Sequence, residues 1–394
     1  MSGPWRCCGR WRPTPRADDR RGYHRSVLKR SPLKRSPRWA LLALASITLL
    51  SCNDRLPASQ GGTRVRPRVL SPPAVRDASL AVSRARSDSP THHREVRLRV
   101  DSAVTLAGEF AWPNVTGAAP TPAVLLLSGS GAQTRDGARA ELPGYYPFTD
   151  LADTLVAAGF AVLRLDDRGV GASTGSPSGA TTEELARDAS AAVAWLRGQP
   201  AVDPARIALV GHSEGALVAL LAARRDPQLW ALGLLAAASR PGREIARWQR
   251  ATLVASDVNT WAPTERNAVL ARAEVEAEAV ATTDRWLRTW FALDPRRIAR
   301  DVSQPTLVVH GENDRQVPAE QADELAAVLP DARAVRLPHL NHLLLTDFDG
   351  DPRGYVRLTT RRVSGDVLRT LVTFLTALNG SPAFSEGNRT QKNR

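Results

Sequence analysis

The sequence has very little cysteine and no segment that would cross a membrane comfortably. Its three cysteines are Cys7, Cys8 and Cys52, and none follows in the 394-residue chain. A disulfide framework and a cysteine-based metal site are therefore excluded for everything after residue 52. The apolar run 39–50 has twelve residues, whereas a membrane-spanning helix needs about 20.

Most of the chain has no net positive charge, although the whole sequence has a formal net charge of +13. Residues 1–99 carry an excess of sixteen positive charges, so residues 100–394 sum to −3. A nucleic-acid-binding protein needs its basic residues on the folded domain. We therefore expect no nucleic-acid partner, and we assign the excess of basic residues to a leader and a linker.

The N-terminal region has the pattern of an export signal. Basic residues precede the apolar run 39–50, which has the length of a signal-peptide core. The run ends in Leu49, Leu50, Ser51 and Cys52, which resembles a bacterial lipobox. The alternative is a short buried helix followed by a chance cysteine. We expect lipidation of Cys52 and an exported, membrane-anchored lipoprotein on the periplasmic or cell-surface side.

Composition divides the rest of the chain. We predict a signal peptide over 1–52, a disordered linker rich in Pro, Ser and Arg over 53–92, a globular domain over 93–380 and a disordered tail over 381–394. Met1 is the only methionine, so an alternative start at Val27 or Leu28 is a further hypothesis.

Within the globular domain, strand-like and helix-like segments alternate. Short apolar runs predict strands near 94–99, 104–112, 123–127, 161–165, 207–210, 232–236, 306–310 and 334–337. Helices are predicted over 147–158, 182–197, 214–225, 319–328 and 364–378. Such alternation indicates an α/β fold with a mostly parallel central sheet.

One interval, about 240–300, interrupts this alternation and predicts an inserted helical cap. Its aromatic residues either line an apolar substrate pocket or pack the cap onto the main domain. They are Trp248, Trp261, Trp286, Trp290 and Phe291.

Residues 211–215 read Gly-His-Ser-Glu-Gly and supply a candidate nucleophile, Ser213. The motif follows a predicted strand and opens a predicted helix, the strand–turn–helix setting that a nucleophilic serine needs. Ser173 lies in a second Gly-x-Ser-x-Gly sequence, but no apolar helix follows it, so we assign it to a loop.

A serine nucleophile needs a histidine base and an orienting carboxylate, in the chain order Ser, acid, His. His310 precedes the candidate acid, so its order is wrong, whereas His339 and His342 both follow the last strand. Asp314 is the preferred acid and Glu312 is the alternative.

Negative charge that develops on the substrate needs hydrogen-bond donors. The Gly-rich segment 128–131 follows the first buried strand, where such a donor is expected. By position we assign the backbone N–H groups of Ser130 and Glu214.

From about residue 94 to 378 the chain resembles bacterial α/β-hydrolases of the esterase and serine-aminopeptidase-like group. The shared motifs are Ser-Gly-Ser-Gly-Ala-Gln-Thr-Arg-Asp at 128–136, Asp-Asp-Arg-Gly-Val-Gly-Ala-Ser at 166–173, Gly-His-Ser-Glu-Gly at 211–215, Gly-Glu-Asn-Asp at 311–314 with Val317 and Pro318, and Leu-Asn-His at 340–342. One departure is Ser128, where many related hydrolases have histidine.

The resemblance implies an α/β-hydrolase fold, places the catalytic histidine at His342 and implies no metal or organic cofactor. It also implies cleavage of carboxylic esters of small molecules through an acyl-enzyme. A peptidase or amidase with the same triad is the nearest alternative, and a catalytically dead, surface-anchored binding protein is another. The sequence leaves the oligomeric state open.

Overall fold

The computed structural model describes residues 91–114, 120–255 and 263–380. The predictions for the signal peptide, Cys52, most of the linker, Trp261 and the C-terminal tail concern residues outside these ranges.

Eight strands in the described ranges form one sheet. They are β1 Thr91–Arg99, β2 Thr105–Pro113, β3 Thr121–Leu127, β4 Ala161–Leu165, β5 Val202–His212, β6 Ala231–Leu235, β7 Thr306–Gly311 and β8 Ala332–Leu337. Their order across the sheet is β1-β2-β4-β3-β5-β6-β7-β8. The β1–β2 and β2–β4 pairs are antiparallel, and every other pair is parallel. The expected mostly parallel sheet is confirmed.

Nine α-helices accompany the sheet in the same ranges. They are α1 Pro147–Ala157, α2 Thr182–Arg197, α3 Glu214–Arg225, α4 Gly242–Ala255, α5 Pro263–Thr283, α6 Arg285–Ala292, α7 Pro295–Ala299, α8 Gln321–Ala326 and α9 Gly365–Gly380. The four helices α4 to α7 lie between β6 and β7, in the interval where the sequence predicts a cap.

The central strands are buried on both faces because alternate side chains point to opposite sides of a strand. Leu125 of β3 and Leu209 of β5 pack in the cluster that contains α2 and α3. Val124 and Val210, their neighbours in sequence, pack in the cluster that contains α1 and α9. This arrangement explains why the central strands appear as continuous apolar runs rather than alternating ones.

Most predicted boundaries differ from the structure by one to three residues, and three differences have a visible local cause. Strand β5 begins at Val202 rather than 207, because Val202 pairs with Thr121 before a shift in register. Strand β6 ends before Ala236, whose φ of 51° turns the chain. The helix expected over 319–328 is shortened to Gln321–Ala326, because its first residues form a turn in which the Gln321 N–H bonds to the Pro318 carbonyl.

Within the described part of the chain, no helix combines the length and the apolar character needed to cross a membrane.

Candidate active site

Ser213 occupies a sharp turn between strand β5 and helix α3. Its φ of 55° and ψ of −119° lie outside the ordinary regions for a non-glycine residue. A side chain at Gly211 would collide with the backbone of Gly215, and one at Gly215 would collide with the backbone of Leu127 and Ser128. The turn therefore requires both glycines, and Gly215 lies directly against the end of strand β3.

The structure brings together the three side chains expected to form a triad. The Ser213 hydroxyl lies 3.1 Å from Nε2 of His342, although 129 residues separate them in sequence. On the other side of the ring, Nδ1 of His342 lies 2.7 Å from Oδ2 of Asp314. With Nδ1–H donating to Asp314, Nε2 is free to accept the Ser213 proton.

The alternative residues lie elsewhere. His339 is exposed and its ring packs on Phe348, with centroids 4.6 Å apart. Glu312 is exposed and forms an ion pair with Arg336 at 3.7 Å. The Ser173 hydroxyl is buried, where it donates to the Asp166 carbonyl and accepts the Ala107 N–H. None of the three is arranged around Ser213.

The Asp314 carboxylate is buried and fully surrounded by donors. Its Oδ1 accepts the backbone N–H groups of Gln316 and Val317 at 2.8 and 2.9 Å. Its Oδ2 accepts from His342 and also lies 3.1 Å from Nε2 of His310. Burial alone would raise the pKa of Asp314, but the charge of His342 and the hydrogen bonds from His310 and His342 outweigh it and hold the pKa well below its usual value.

His310 is therefore a second histidine on the acid, which the sequence analysis did not assign to the site. It is fully buried and its Nε2 also lies 3.0 Å from the Val317 carbonyl. Its place at the end of β7, four residues before Asp314, was visible in the sequence, but nothing local indicated that the ring turns back onto the carboxylate.

Buried hydrogen bonds hold the loop that carries His342. Nε2 of His212 donates to the His342 carbonyl at 2.8 Å, and the Tyr145 hydroxyl donates to the Leu343 carbonyl at 2.9 Å. Burial and the charge of His342 lower the pKa of His212 to about 3, so His212 is neutral and keeps the proton that it donates. The Asn341 side chain accepts the N–H of Leu343 and so fixes the turn from within.

The two expected oxyanion donors line the cleft beside the nucleophile. Ser130 and Glu214 both border it together with Ser213. Within the described residues, neither backbone N–H has a protein acceptor. Both N–H groups are therefore available to a bound substrate.

Asp167 anchors the loop that contains Ser130. Its Oδ1 accepts the Ser128 hydroxyl at 2.8 Å, and its Oδ2 accepts the Gln133 N–H at 2.9 Å. Ser128, which departs from the pattern of related hydrolases, thus points away from the substrate and into this anchor. Burial raises the pKa of Asp167 to about 7, against the opposing effect of these two bonds.

The Glu214 side chain connects the nucleophile turn to the cap. Its Oε1 accepts the Thr182 hydroxyl at 2.6 Å and the indole N–H of Trp286, in α6, at 2.8 Å. Its Oε2 is buried and has no hydrogen-bond partner among the described residues. Burial raises the pKa of this carboxyl.

The cleft above Ser213 has a volume of about 920 Å³, including the part open to solvent. Trp286 and Trp290 form one wall and stack with centroids 5.3 Å apart. Phe291 is buried nearby, whereas Trp248 is 40% exposed and donates to the Arg315 carbonyl. Of the aromatic residues in the cap, Trp286 and Trp290 therefore line the cleft, whereas Phe291 and Trp248 pack the cap onto its surroundings.

In the ranges that the structure covers, no group of three or more His, Cys, Asp or Glu side chains could hold a metal ion.

Comparison with known proteins gives a family and a fold. The family model described as serine aminopeptidase, S33, matches residues 145–349, just over half of the chain. An uncharacterized protein of Mycobacterium tuberculosis (strain H37Rv) is 32% identical over 282 residues, covering 71% of this chain and 79% of that protein. A thiohydrolase of Arthrinium phaeospermum is 45% identical over 74 residues, which cover 18% of this chain and 24% of that protein.

Among solved structures, DcsB in complex with its substrate analogue aligns with a TM-score of 0.50 at 18% identity, covering 74% of this chain and all of DcsB. That likeness is one of fold. The chain therefore has the α/β-hydrolase fold and belongs to the hydrolase family described as serine aminopeptidase, S33.

Proposed function

We propose that the protein is a serine hydrolase that cleaves carboxylic esters through an acyl-enzyme, with Ser213 as nucleophile, His342 as base and Asp314 as acid. The observation that carries this proposal is the continuous hydrogen-bonded series from the Ser213 hydroxyl through His342 to Asp314, at 3.1 and 2.7 Å. A nucleophile, its base and the group that orients the base are the parts that acyl transfer requires.

In the proposed reaction, Ser213 attacks the ester carbonyl while Nε2 of His342 takes its proton. The negative charge of Asp314 stabilises the imidazolium that forms. The N–H groups of Ser130 and Glu214 bind the oxyanion, each such donor contributing about 2.7–4 kcal/mol to transition-state stabilisation. His342 then protonates the leaving alcohol, and water, activated by the same histidine, hydrolyses the acyl-enzyme.

The charge of the cleft favours an ester over a peptide with a free N-terminus. An aminopeptidase needs a carboxylate to bind the substrate ammonium group. Glu214 is the sole acidic residue lining the cleft in the described ranges, and its carboxyl is already engaged by Thr182 and Trp286. We expect hydrolysis of p-nitrophenyl acyl esters and no comparable hydrolysis of aminoacyl p-nitroanilides. The reverse preference would support the peptidase alternative.

Substitution within the triad tests the mechanism. We expect Ser213→Ala and His342→Ala each to lower kcat by about 10⁴- to 10⁶-fold, and Asp314→Asn to lower it somewhat less. His339→Ala is the matched control, because that ring lies three residues away and faces Phe348. Labelling by a fluorophosphonate should occur in the wild type and disappear in Ser213→Ala. Folded wild-type protein that takes up no label would support a catalytically inactive binding protein instead.

We further propose that the chain is exported and lipid-anchored at Cys52. Support comes from the basic flank, the short apolar core and the residues Leu49, Leu50 and Ser51 before the cysteine. Wild-type protein should partition with membranes and carry acyl mass on an N-terminal Cys52 fragment, whereas Cys52→Ala should be released. Membrane association that survives Cys52→Ala would contradict the anchor.

A further inference from the structure

Two arginines line the cleft beside Ser213. Arg139 and Arg240 both border it, as does the catalytic candidate His342. The two guanidinium groups differ in the number of hydrogen bonds and ion pairs that they make within the protein.

Arg240 is engaged by acidic residues of the main domain. Its Nε lies 3.1 Å from a carboxylate oxygen of Glu324, its Nη2 bonds to the other oxygen, and Glu320 lies 3.6 Å from Nη2. The charge of Arg240 is therefore largely neutralised where it stands.

Arg139 has no such partner. Within the described residues its guanidinium makes no hydrogen bond, and its one ion pair is to Glu141 at 3.8 Å. The Glu141 side chain is 63% exposed, so solvent screens that pair. Arg139 itself is only 31% exposed. The charge of Arg139 acts on His212, which lies beside His342. Burial and the charge of His342 lower the pKa of His212 most, and the charge of Arg139 lowers it further.

The acidic side of the cleft does not balance this charge. Glu214 is buried against α2 and α6, where its carboxyl accepts hydrogen bonds from Thr182 and Trp286. The remaining wall near it is apolar, formed by Leu217, Ile245 and the stacked Trp286 and Trp290. A guanidinium that lines a cleft without a close carboxylate partner attracts anions, and the walls of a cleft focus its field.

We propose that the substrate is an ester that also carries an ionised acidic group, and that Arg139 binds that group. This inference rests on the proposed ester hydrolysis and adds the substrate class to it. The planar guanidinium matches a carboxylate in the two-pronged geometry that arginine prefers. The anion lies either on the acyl side or on the alcohol side of the ester, and the test distinguishes the two.

Two pairs of esters separate recognition of the anion from ester cleavage itself. The acyl-side pair is mono-p-nitrophenyl adipate and its methyl-capped, neutral counterpart. The alcohol-side pair is 4-acetoxybenzoate and its methyl ester. For each pair the measured quantity is the ratio of kcat/KM for the anionic member to that for the neutral member, in wild type, Arg139→Gln and Arg139→Lys.

We expect the ratio for one pair to fall about 10-fold or more in Arg139→Gln, the loss typical of one charge-assisted contact. Arg139→Lys should retain part of the ratio because it keeps the charge, and raised salt should lower the wild-type ratio. Arg272→Gln is the matched control, since that side chain is 82% exposed on the cap helix α5; its ratios should equal those of the wild type.

Ratios in Arg139→Gln that equal the wild-type values for both pairs would overturn the inference. So would a wild-type preference for the neutral member of both pairs. Wild-type protein that cleaves none of the four esters would instead refute the proposed function, so the two failures are distinguishable.

Discussion

Asp167 ties the loop that carries Ser130 to the end of strand β4. Its two carboxylate oxygens accept hydrogen bonds from Ser128, two residues before Ser130, and from Gln133, three residues after it. The Asp167 N–H also donates to the Gln133 carbonyl at 3.0 Å, so the loop is tied at three points. We infer that Asp167 is a positioning residue for the oxyanion donor.

We predict that Asp167→Ala lowers kcat by about 10- to 100-fold with a smaller change in KM, because a displaced N–H is lost mainly to the transition state. Asp167→Asn should restore most of kcat, since an amide can accept from Gln133 and donate to the Ser128 oxygen. Steady-state kinetics on one neutral ester measure both variants. Equal kcat losses in the two would indicate that charge, not position, is what Asp167 supplies.

At the scale of elements, the short helix α6 joins the cap to the site. Arg285 pairs with Glu184 of α2 at 2.9 Å, and the next residue, Trp286, donates to Glu214. Asp284 caps the helix by accepting the Leu287 N–H at 2.7 Å. Helix α6 is thus fixed at its first turn to both α2 and the start of α3.

We predict that Trp286→Phe lowers the free energy of unfolding by about 1–3 kcal/mol, the usual cost of leaving a buried polar group short of a partner. The phenyl ring can still stack on Trp290, but the change removes part of the ring volume as well as the indole N–H, and both losses contribute to the cost. Trp248→Phe is the control, because its N–H donates from a ring that is 40% exposed. Urea unfolding measures both. A larger loss in Trp248→Phe would contradict the assignment of Trp286 as the buried contact.

The elements themselves were largely predictable, and the reason is local. Each central strand is buried on both faces, so residues such as Leu209 and Val210 produce an apolar run that can be read without the fold. The glycines around Ser213 are equally recognisable in the sequence, because the turn that requires them is only five residues long.

Contacts between distant residues were not predictable. His212 and His342 are 130 residues apart, and Tyr145 and Leu343 are 198 apart. No periodicity encodes which carbonyl a buried side chain will reach. The residues alone left both His339 and His342 open, and only the family resemblance favoured His342. In the structure His339 has a φ of 54° and an exposed ring.

At the scale of the whole molecule, buried carboxyl groups make the free energy of unfolding depend on pH. Burial raises the pKa of Asp167 to about 7, well above the usual value for an aspartate. Between about pH 4 and 7 the folded protein therefore keeps a proton on Asp167 that the unfolded chain has lost, and the contribution of Asp167 to stability falls as pH rises. Asp314 acts in the opposite sense, but its lowered pKa makes its contribution complete above about pH 4.

We predict that, from pH 5 to pH 7.5, the melting temperature of Asp167→Asn rises relative to that of the wild type. The contribution of His212, whose pKa is lowered to about 3, increases over part of this range, but it is the same in both proteins. The difference corresponds to a few kcal/mol at most, since one pKa unit is about 1.4 kcal/mol. Thermal unfolding at both pH values, followed by circular dichroism, measures it. Parallel behaviour of the two proteins would assign the pH dependence to other groups.

Glu214 belongs to two parts of the molecule at once: it lines the cleft beside Ser213, and its carboxyl accepts the indole N–H of Trp286 in the cap. A substitution in the cap that is meant to change the substrate can therefore also disturb the residues around Ser213. An exchange at Trp286 would change turnover together with selectivity. Ile245 and Leu217, which line the same cleft through apolar contact alone, are the safer starting points for such engineering.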